Sequence, residues 1–188
     1  MHVNAIINMT TLDYPGKVAS VLFTSPCNWN CPFCHNPQFI QVNNKTIPEE
    51  LLFDTLNSTM DLIDGVVITG GEPTLQSDLI DFCKKLKGMG LSVKVDTNGS
   101  NPKMVRDMLE SGAVDYIAMD IKSDGNKYDM ACGNHLADIG VIWESAEVVT
   151  NFKNYEFRTT AVPLFIDRHS MHAICAILKD IGAKNYYI

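Results

Sequence analysis

The sequence predicts an α/β fold in which six parallel strands, each paired with a helix, form a partial (β/α)6 barrel. Short apolar runs alternate with amphipathic helical patterns at steps of roughly 30 residues, as βαβ units require. Polar and small residues follow several of these runs directly, and the carboxyl ends of parallel strands form the functional face of such folds. We therefore expect one α/β domain over residues 1–188, with its functional groups on one rim.

Composition limits the classes of function. The chain has 188 residues, 46% hydrophobic and 20% charged, which is enough for one substantial core and short for two. A net charge of −7 without a basic run argues against direct nucleic-acid binding. No apolar stretch reaches the roughly 18 residues of a membrane span, and the N-terminus lacks the features of a secretory signal. We expect a cytoplasmic protein that does not associate with membranes.

Six apolar runs predict the strands. They are residues 17–24, 66–69, 91–96, 116–119, 155–162 and 186–188. A turn signal, Asp13-Tyr14-Pro15-Gly16, precedes the first run, and glycine-rich or Asp-containing segments end most of the others. Each run is short enough for a buried strand.

Apolar residues at helical spacing predict the helices between these strands. The first begins at Pro48, whose fixed φ suits a first turn, and the third runs from Pro102 to Gly112. The apolar positions that define the others are Leu79, Cys83 and Leu86; Ile139, Ile142, Trp143, Ala146 and Val149; and Ile174, Cys175, Leu178 and Ile181. Residues 123–138 are polar and unperiodic, which predicts a loop.

Three of the six cysteines, Cys27, Cys31 and Cys34, lie within eight residues after the first predicted strand, spaced C-x3-C-x2-C. Thiolates on such a loop can turn toward one point and suit a soft metal centre. An iron–sulfur cube normally takes four thiolates, so three would leave one iron for a non-protein ligand. A structural zinc site is the alternative, but it needs four ligands, and the sequence has no second cysteine pair. The spacing favours an iron–sulfur cluster.

The other three cysteines do not indicate a disulfide framework, because the chain is long and half of its cysteines are clustered. Cys83 and Cys175 lie in helical patterns and are expected to be buried thiols, whereas Cys132 lies in the predicted loop. This usage fits a reducing compartment. The histidines His2, His135, His169 and His172 form no recognisable group.

The groups after the later strands have two interpretations each. Gly70 and Gly71 let a ligand approach the backbone, and Glu72 can hold an ammonium group, but the segment can also be only a turn. Residues 96–99 can likewise be only a turn. Lys122 can meet a carboxylate or form a solvated pair with Asp120.

Arg158 lies within an apolar strand and needs an anionic partner. That partner is either a ligand carboxylate or a structural ion pair with Asp96 or Asp120. In the cysteine loop, Phe33 is expected to form an apolar wall. Two questions stay open there: His35 and Asn36 bind a nucleobase or shape the turn, and Trp29 covers the cluster or faces a partner.

With these motifs, the sequence resembles the radical S-adenosylmethionine (SAM) superfamily, and more finely the activating proteins of anaerobic (class III) ribonucleoside-triphosphate reductase. The C-x3-C-x2-C loop, with Phe33 before its last cysteine, carries the first resemblance. The finer resemblance lies in residues 12–17, 31–37, 70–76, 96–100, 115–122 and 155–160. Two features depart from the family: Pro26 replaces the usual glycine before the first cysteine, and the chain ends at Ile188, where relatives continue. The C-terminal end of the radical SAM barrel is therefore expected to be short.

The resemblance implies a [4Fe–4S] cluster and SAM as cofactors. The residues it implies for the cluster are Cys27, Cys31 and Cys34. Those implied for SAM are Phe33, His35, Asn36, Gly70, Gly71, Glu72, Pro73, Asp96, Asn98, Asp120, Lys122 and Arg158. In this interpretation residues 70–73 hold the amino group of SAM, Lys122 and Arg158 neutralise its carboxylate, and Phe33 with the backbone of residues 34–36 lines the adenine.

The implied reaction is reductive cleavage of SAM to methionine and a 5′-deoxyadenosyl radical, which takes a Cα hydrogen from a glycine of the reductase. A one-electron donor such as flavodoxin or ferredoxin is then a second partner. The alternatives are a radical SAM enzyme that acts on another glycyl radical enzyme or on a small molecule such as a deazapurine precursor, an iron–sulfur electron carrier without catalysis, and a zinc-stapled binding module.

Overall fold

The computed structural model describes residues 1–42, 45–125, 127–133 and 137–188. Seven strands form one sheet whose spatial order follows the chain. They are β1 (Val3–Thr10), β2 (Ala19–Thr24), β3 (Gly65–Gly70), β4 (Ser92–Thr97), β5 (Tyr116–Asp120), β6 (Tyr155–Arg158) and β7 (Tyr186–Tyr187). β1 is antiparallel to β2, and the remaining neighbours pair in parallel. In the described sheet β1 and β7 lie at opposite edges, so the barrel is open and the predicted partial barrel is confirmed.

Helices connect the parallel strands. They are α1 (Glu49–Ser58), α2 (Leu79–Gly88), α3 (Pro102–Ser111), α4 (Tyr128–Cys132), α5 (Ile139–Val149) and α6 (Arg168–Asp180). Their ends follow the expected signals: the Asn101 side chain accepts a hydrogen bond from the Met104 amide at the start of α3, and Gly112 ends that helix at φ 62°.

The two faces of the sheet have different contents. Val93 and Val95 of β4 belong to the large apolar core that the helices cover. The residue between them, Lys94, points the other way and pairs with Asp96 on the concave face. Successive side chains of a strand alternate between faces, so the concave interior of the barrel can be polar while the outer face remains apolar.

Three features of the fold differ from the prediction. β1 was not predicted, because its sequence lacks clean alternation of apolar and polar residues. The fifth predicted strand, residues 155–162, ends at Arg158, four residues early, because its partner β7 has only two residues. The predicted loop 123–138 contains α4, a single turn of helix that is too short for a periodic signal. Tyr128, Ala131 and Cys132 of α4 are nevertheless buried, at helical spacing.

The spare cysteines also correct one expectation. Cys83 of α2 is buried as predicted, but Cys175 of α6 is exposed, because it lies on the outer side of its helix. His135 lies outside the described residues. None of the described helices is both long and apolar enough to cross a membrane.

Two neighbouring leucines of α1 test how the core is assembled. Leu52 is 1% exposed and Leu51 is 56% exposed. We expect Leu52→Ala to lower the free energy of unfolding by about 2–5 kcal/mol, because it leaves a cavity in the core. Leu51→Ala is the matched control and should change it by less than about 0.5 kcal/mol. Urea unfolding of both variants measures the difference, and equal losses would contradict the described packing of α1.

Candidate functional site

A cavity of about 640 Å³ opens at the carboxyl ends of the parallel strands. All of the predicted site residues line it except Pro73. Those that do are Cys27, Cys31, Phe33, Cys34, His35, Asn36, Gly70, Gly71, Glu72, Asp96, Asn98, Asp120, Lys122 and Arg158. Pro73 is buried behind the turn after β3, where it opens a short 3-10 helix. Residues far apart in the sequence thus meet in one place, on the rim that the parallel strands predict.

The cysteine loop follows β2 and is fixed to its surroundings by backbone hydrogen bonds. The Cys27 amide donates to the Ile40 carbonyl at 3.0 Å, and the Asn30 amide donates to the Cys132 carbonyl at 2.9 Å. Within the loop, the Cys34 amide donates to the Cys31 carbonyl at 3.0 Å. These bonds hold the three thiols on one wall of the cavity, each partly exposed.

The three thiols differ in their acidity. Burial raises the pKa of Cys27 to about 12. A hydrogen bond from the Cys132 thiol, aided by the Lys122 ammonium, lowers the pKa of Cys31 to about 7 against the opposing effect of burial. Cys31 is therefore the thiol that ionises more readily of these two.

The chemistry of these donors fits an iron–sulfur cluster. Three thiols, which are soft donors, line one cavity. Three thiolates would leave one iron of a cube for a ligand from outside the protein. That these thiols hold a cluster stays a prediction.

The two glycines after β3 allow the backbone to pack closely. A Cβ on Gly71 would overlap the Pro26 carbonyl, and Gly70 has a φ of 112°, which few other residues adopt. The Glu72 amide donates to the same Pro26 carbonyl at 3.0 Å. The glycines therefore join this turn to the start of the cysteine loop, in addition to any ligand contact.

Glu72 is 1% exposed, and its carboxylate accepts four hydrogen bonds within the protein. Oε1 accepts from the Thr74 amide at 3.0 Å and from the hydroxyls of Thr74 and Thr97 at 2.6 and 2.7 Å. Oε2 accepts from the Asn98 amide at 2.7 Å. Burial raises the pKa of Glu72, and these hydrogen bonds oppose that effect. Glu72 thus ties the turn after β3 to the end of β4, and its contact with a ligand ammonium stays a prediction.

Six charged residues line the concave interior and form what we call the charge frame. They are Lys94 and Asp96 of β4, Asp120 and Lys122 at the end of β5, and Glu156 and Arg158 of β6. Each of these three strands carries one cation and one anion two residues apart. Residues two apart in a strand lie on the same face of the sheet, so all six side chains share one face. Charges balance within the frame, which is the condition for holding them away from water.

Arg158 is the centre of this frame. Its Nε donates to Asp120 Oδ1 at 2.9 Å, and its NH1 donates to Asp96 Oδ2 at 3.4 Å. Lys122 Nζ donates to the other oxygen of Asp120 at 2.8 Å. Burial alone would raise the pKa of Asp120, but Lys122 and Arg158 hold it well below its usual range. Arg158 thus forms the ion pairs with Asp96 and Asp120 that were one of its two interpretations.

Two members of the charge frame were not predicted. Lys94 is 2% exposed and donates to Asp96 at 2.7 Å, and Glu156 accepts a hydrogen bond from the Tyr116 hydroxyl at 2.9 Å. The sequence contained a usable signal, because Lys94 and Glu156 each precede a predicted site residue by two positions in a strand. That spacing places them on the same face.

The aromatic and amide residues of the cysteine loop are also held by neighbours. Trp29 is buried, lines the cavity and packs edge-on against Tyr128, with ring centroids 5.8 Å apart. Phe33 packs against Phe165 at 5.4 Å. Asn28, which was not predicted, accepts a hydrogen bond from the Asn98 side chain at 2.9 Å and so links the loop to the end of β4.

Comparison with known proteins gives matches along most of the chain. Residues 21–181 match the family described as the radical SAM superfamily. The chain is 33% identical over 183 residues to a candidate glycyl-radical enzyme activating enzyme of Methanocaldococcus jannaschii, which covers 95% of this chain and 75% of that protein. It is 29% identical over 161 residues to the pyruvate formate-lyase-activating enzyme of Streptococcus mutans, which covers 73% of this chain and 61% of that enzyme.

A solved structure of another protein has a similar fold. SuiB of Streptococcus suis, bound to the precursor peptide SuiA, superposes with a TM-score of 0.69 at 17% identity. The match covers 88% of this chain and 37% of SuiB. At this identity the likeness shows the fold alone.

Glu72 allows a test of how the cavity is held together. We expect Glu72→Gln to lower the free energy of unfolding by about 1–3 kcal/mol. The new side-chain NH2 group would face N–H and O–H groups that now donate to the Glu72 carboxylate, so at least one of them would lose its acceptor. Glu50→Gln, on the exposed side of α1, is the matched control and should have little effect. Urea unfolding measures both variants, and an unchanged midpoint for Glu72→Gln would show that the turn does not depend on this carboxylate.

Proposed function

Because the chain belongs to the radical SAM superfamily, we propose that it is an activating enzyme that generates a glycyl radical on a partner protein. One observation carries the proposal: the three-cysteine loop opens onto the same cavity as the charge frame. A metal centre and a charged amino acid headgroup can therefore meet there. The match to a candidate activating enzyme over 95% of the chain supports this class of radical SAM enzyme.

In this proposal Cys27, Cys31 and Cys34 hold a [4Fe–4S] cluster through their thiolates, and its remaining iron is open to SAM. When bound, the cluster and SAM together supply a 5′-deoxyadenosyl radical. The described cavity of about 640 Å³ leaves room for a ligand of this size. The residues of the chain then have to orient SAM, balance its charges and keep water away from the reacting bond.

The charge frame can neutralise the carboxylate of SAM. Lys122 and Arg158 line the cavity, and both donate hydrogen bonds to Asp120. A ligand carboxylate would compete with Asp120 for these two cations. Lys94 is buried within reach of Asp96 and Glu156, at 2.7 and 3.9 Å, so those acids stay compensated if Arg158 turns toward the ligand. Two of the three acids of the frame thus stay paired, and Asp120 would share Lys122 with the ligand carboxylate.

The opposite end of SAM has a separate set of contacts. Phe33 is half-buried beside the third cysteine and offers an apolar surface to a flat ring. The backbone of residues 34–36 also lines the cavity and can donate to a nucleobase. His35 is exposed, so its side chain contributes less than its backbone. Residues 70–72 are proposed to contact the amino group, with backbone atoms as the available partners because the Glu72 carboxylate is already engaged. Pro73 lies behind the turn and makes no such contact.

The partner in this proposal is anaerobic ribonucleoside-triphosphate reductase, with a one-electron donor such as flavodoxin or ferredoxin. The target glycine has to enter the cavity on a protein loop. The similarity to a candidate glycyl-radical enzyme activating enzyme over 95% of this chain supports a protein partner over a small-molecule substrate.

The proposed function is tested with anaerobically reconstituted protein, dithionite and SAM. We expect 5′-deoxyadenosine from the wild type and none above background from Cys31→Ala. With a candidate reductase present, electron paramagnetic resonance (EPR) should show a glycyl radical that is absent when the target glycine is replaced by alanine. Absence of 5′-deoxyadenosine would overturn the proposal. Cleavage of SAM without a glycyl radical on any candidate would favour the small-molecule alternative.

The role of Lys122 gives a separate prediction. Lys122→Met keeps much of the side-chain volume and removes the charge. We expect it to weaken SAM binding by roughly 10- to 100-fold, the equivalent of about 1.5–3 kcal/mol for a charged hydrogen bond. Lys84→Met, which removes an exposed lysine from α2, is the matched control. Anaerobic calorimetry on cluster-loaded protein measures both affinities, and equal affinities would remove Lys122 from the carboxylate site.

A further inference from the structure

Asn28 follows the first cysteine of the loop and connects the loop to the turn after β4. Its Nδ2 donates to the Ser100 hydroxyl at 2.8 Å, and its Oδ1 accepts a hydrogen bond from Asn98 Nδ2 at 2.9 Å. The main-chain bonds that fix the loop involve Cys27 and Asn30, on either side of this residue. Asn28 therefore adds a side-chain contact of its own between two segments that are 70 residues apart.

Asn98 lines the cavity, and both ends of its side-chain amide have a partner in the protein. The residue is 6% exposed. Its Oδ1 accepts a hydrogen bond from the Ser100 amide at 2.9 Å, and its Nδ2 donates to Asn28. An asparagine Nδ2 carries two hydrogens. The bond to Asn28 uses one of them, so it fixes the orientation of the amide and leaves the second N–H for a ligand in the cavity.

The backbone of the turn that carries Asn98 is held by other elements. The Asn98 amide donates to Glu72 Oε2 at 2.7 Å, which ties the turn to the segment after β3. The Ser145 hydroxyl of α5 donates to the Gly99 carbonyl at 2.6 Å. The main chain of the turn is thus fixed without the cysteine loop, whereas the orientation of the Asn98 side chain depends on its bond to the loop.

We propose that Asn28 is a positioning residue that orients the side-chain amide of Asn98 for its contact with SAM. The inference rests on the proposed function and on the implied contact between Asn98 and SAM. In this role Asn28 acts through Asn98: it restricts the rotation of that side chain before the ligand binds, which lowers the entropic cost of ordering it.

The test is a double-mutant cycle in which anaerobic calorimetry on cluster-loaded protein measures the affinity for SAM. We expect Asn28→Ala to weaken binding by roughly 3- to 10-fold, the usual range for one neutral hydrogen bond. In a protein that already carries Asn98→Ala, adding Asn28→Ala should cause no further loss, because the residue through which Asn28 acts is gone. Asn154→Ala is the matched control and should leave the affinity unchanged. Asn154 is also exposed, and its side chain donates to the Asp115 carbonyl at 3.1 Å, at the amino ends of β5 and β6.

A second measurement does not depend on the cofactors. The Ser100 amide donates to Asn98 Oδ1, so a released Asn98 side chain should leave that amide less protected from solvent. In the full chain without cluster or SAM, hydrogen exchange followed by nuclear magnetic resonance should be roughly 3- to 10-fold faster at Ser100 in Asn28→Ala than in the wild type. Asn154→Ala should exchange at the wild-type rate.

Three results overturn the inference alone: an unchanged SAM affinity of Asn28→Ala, an unchanged exchange rate at Ser100, and a loss of affinity that is equally large with and without Asn98. Iron and sulfide content is measured on every sample, and affinities are compared per cluster. An Asn28→Ala variant that no longer takes up the cluster would also overturn the inference, because Asn28 would then hold the loop rather than Asn98. A wild-type protein that takes up no cluster or binds no SAM would overturn the proposed function and this inference with it.

Discussion

The structure depends on balancing charge inside an open barrel. Three neighbouring strands each place one cation and one anion on the concave face, and the six side chains pair with one another. Lys94 is buried among these charges, and removing one partner of a buried pair typically costs about 3–5 kcal/mol. The same frame gives the cavity exchangeable partners for a charged ligand. Stability of the interior and recognition of an amino acid headgroup thus rest on one set of residues.

The cavity is held together by contacts between loops that follow different strands. Glu72 connects the turn after β3 to the end of β4, and Gly71 brings that turn against Pro26 of the cysteine loop. On the other side, Asn30 and Gly133 join the loop to α4. The thiols are therefore fixed by their neighbours on both sides. Such support is what a site needs if it is to orient a reactive cofactor.

Much of the fold and most of the site could be predicted from the sequence, because both depend on local patterns. The parallel strands appear in the sequence as apolar runs, and the polar residues that follow these runs were expected to lie on one rim of the sheet. The sequence gives no comparable pattern for the residues with which these polar side chains form hydrogen bonds. Glu72 could be placed in the site, but its bonds to Thr97 and Asn98 could not be foreseen, since they join segments 25 and 26 residues apart. Cys132 was assigned to a loop because a five-residue helix has too few turns to show a period.

The central claim is that three cysteines hold a cube whose remaining iron is open to SAM. Mössbauer spectroscopy of protein reconstituted with iron-57, recorded with and without SAM, tests it most directly. We expect one of the four irons of the cube to change its signal when SAM is added, while the others keep theirs. A spectrum that SAM leaves unchanged, or in which all irons change alike, would contradict the claim.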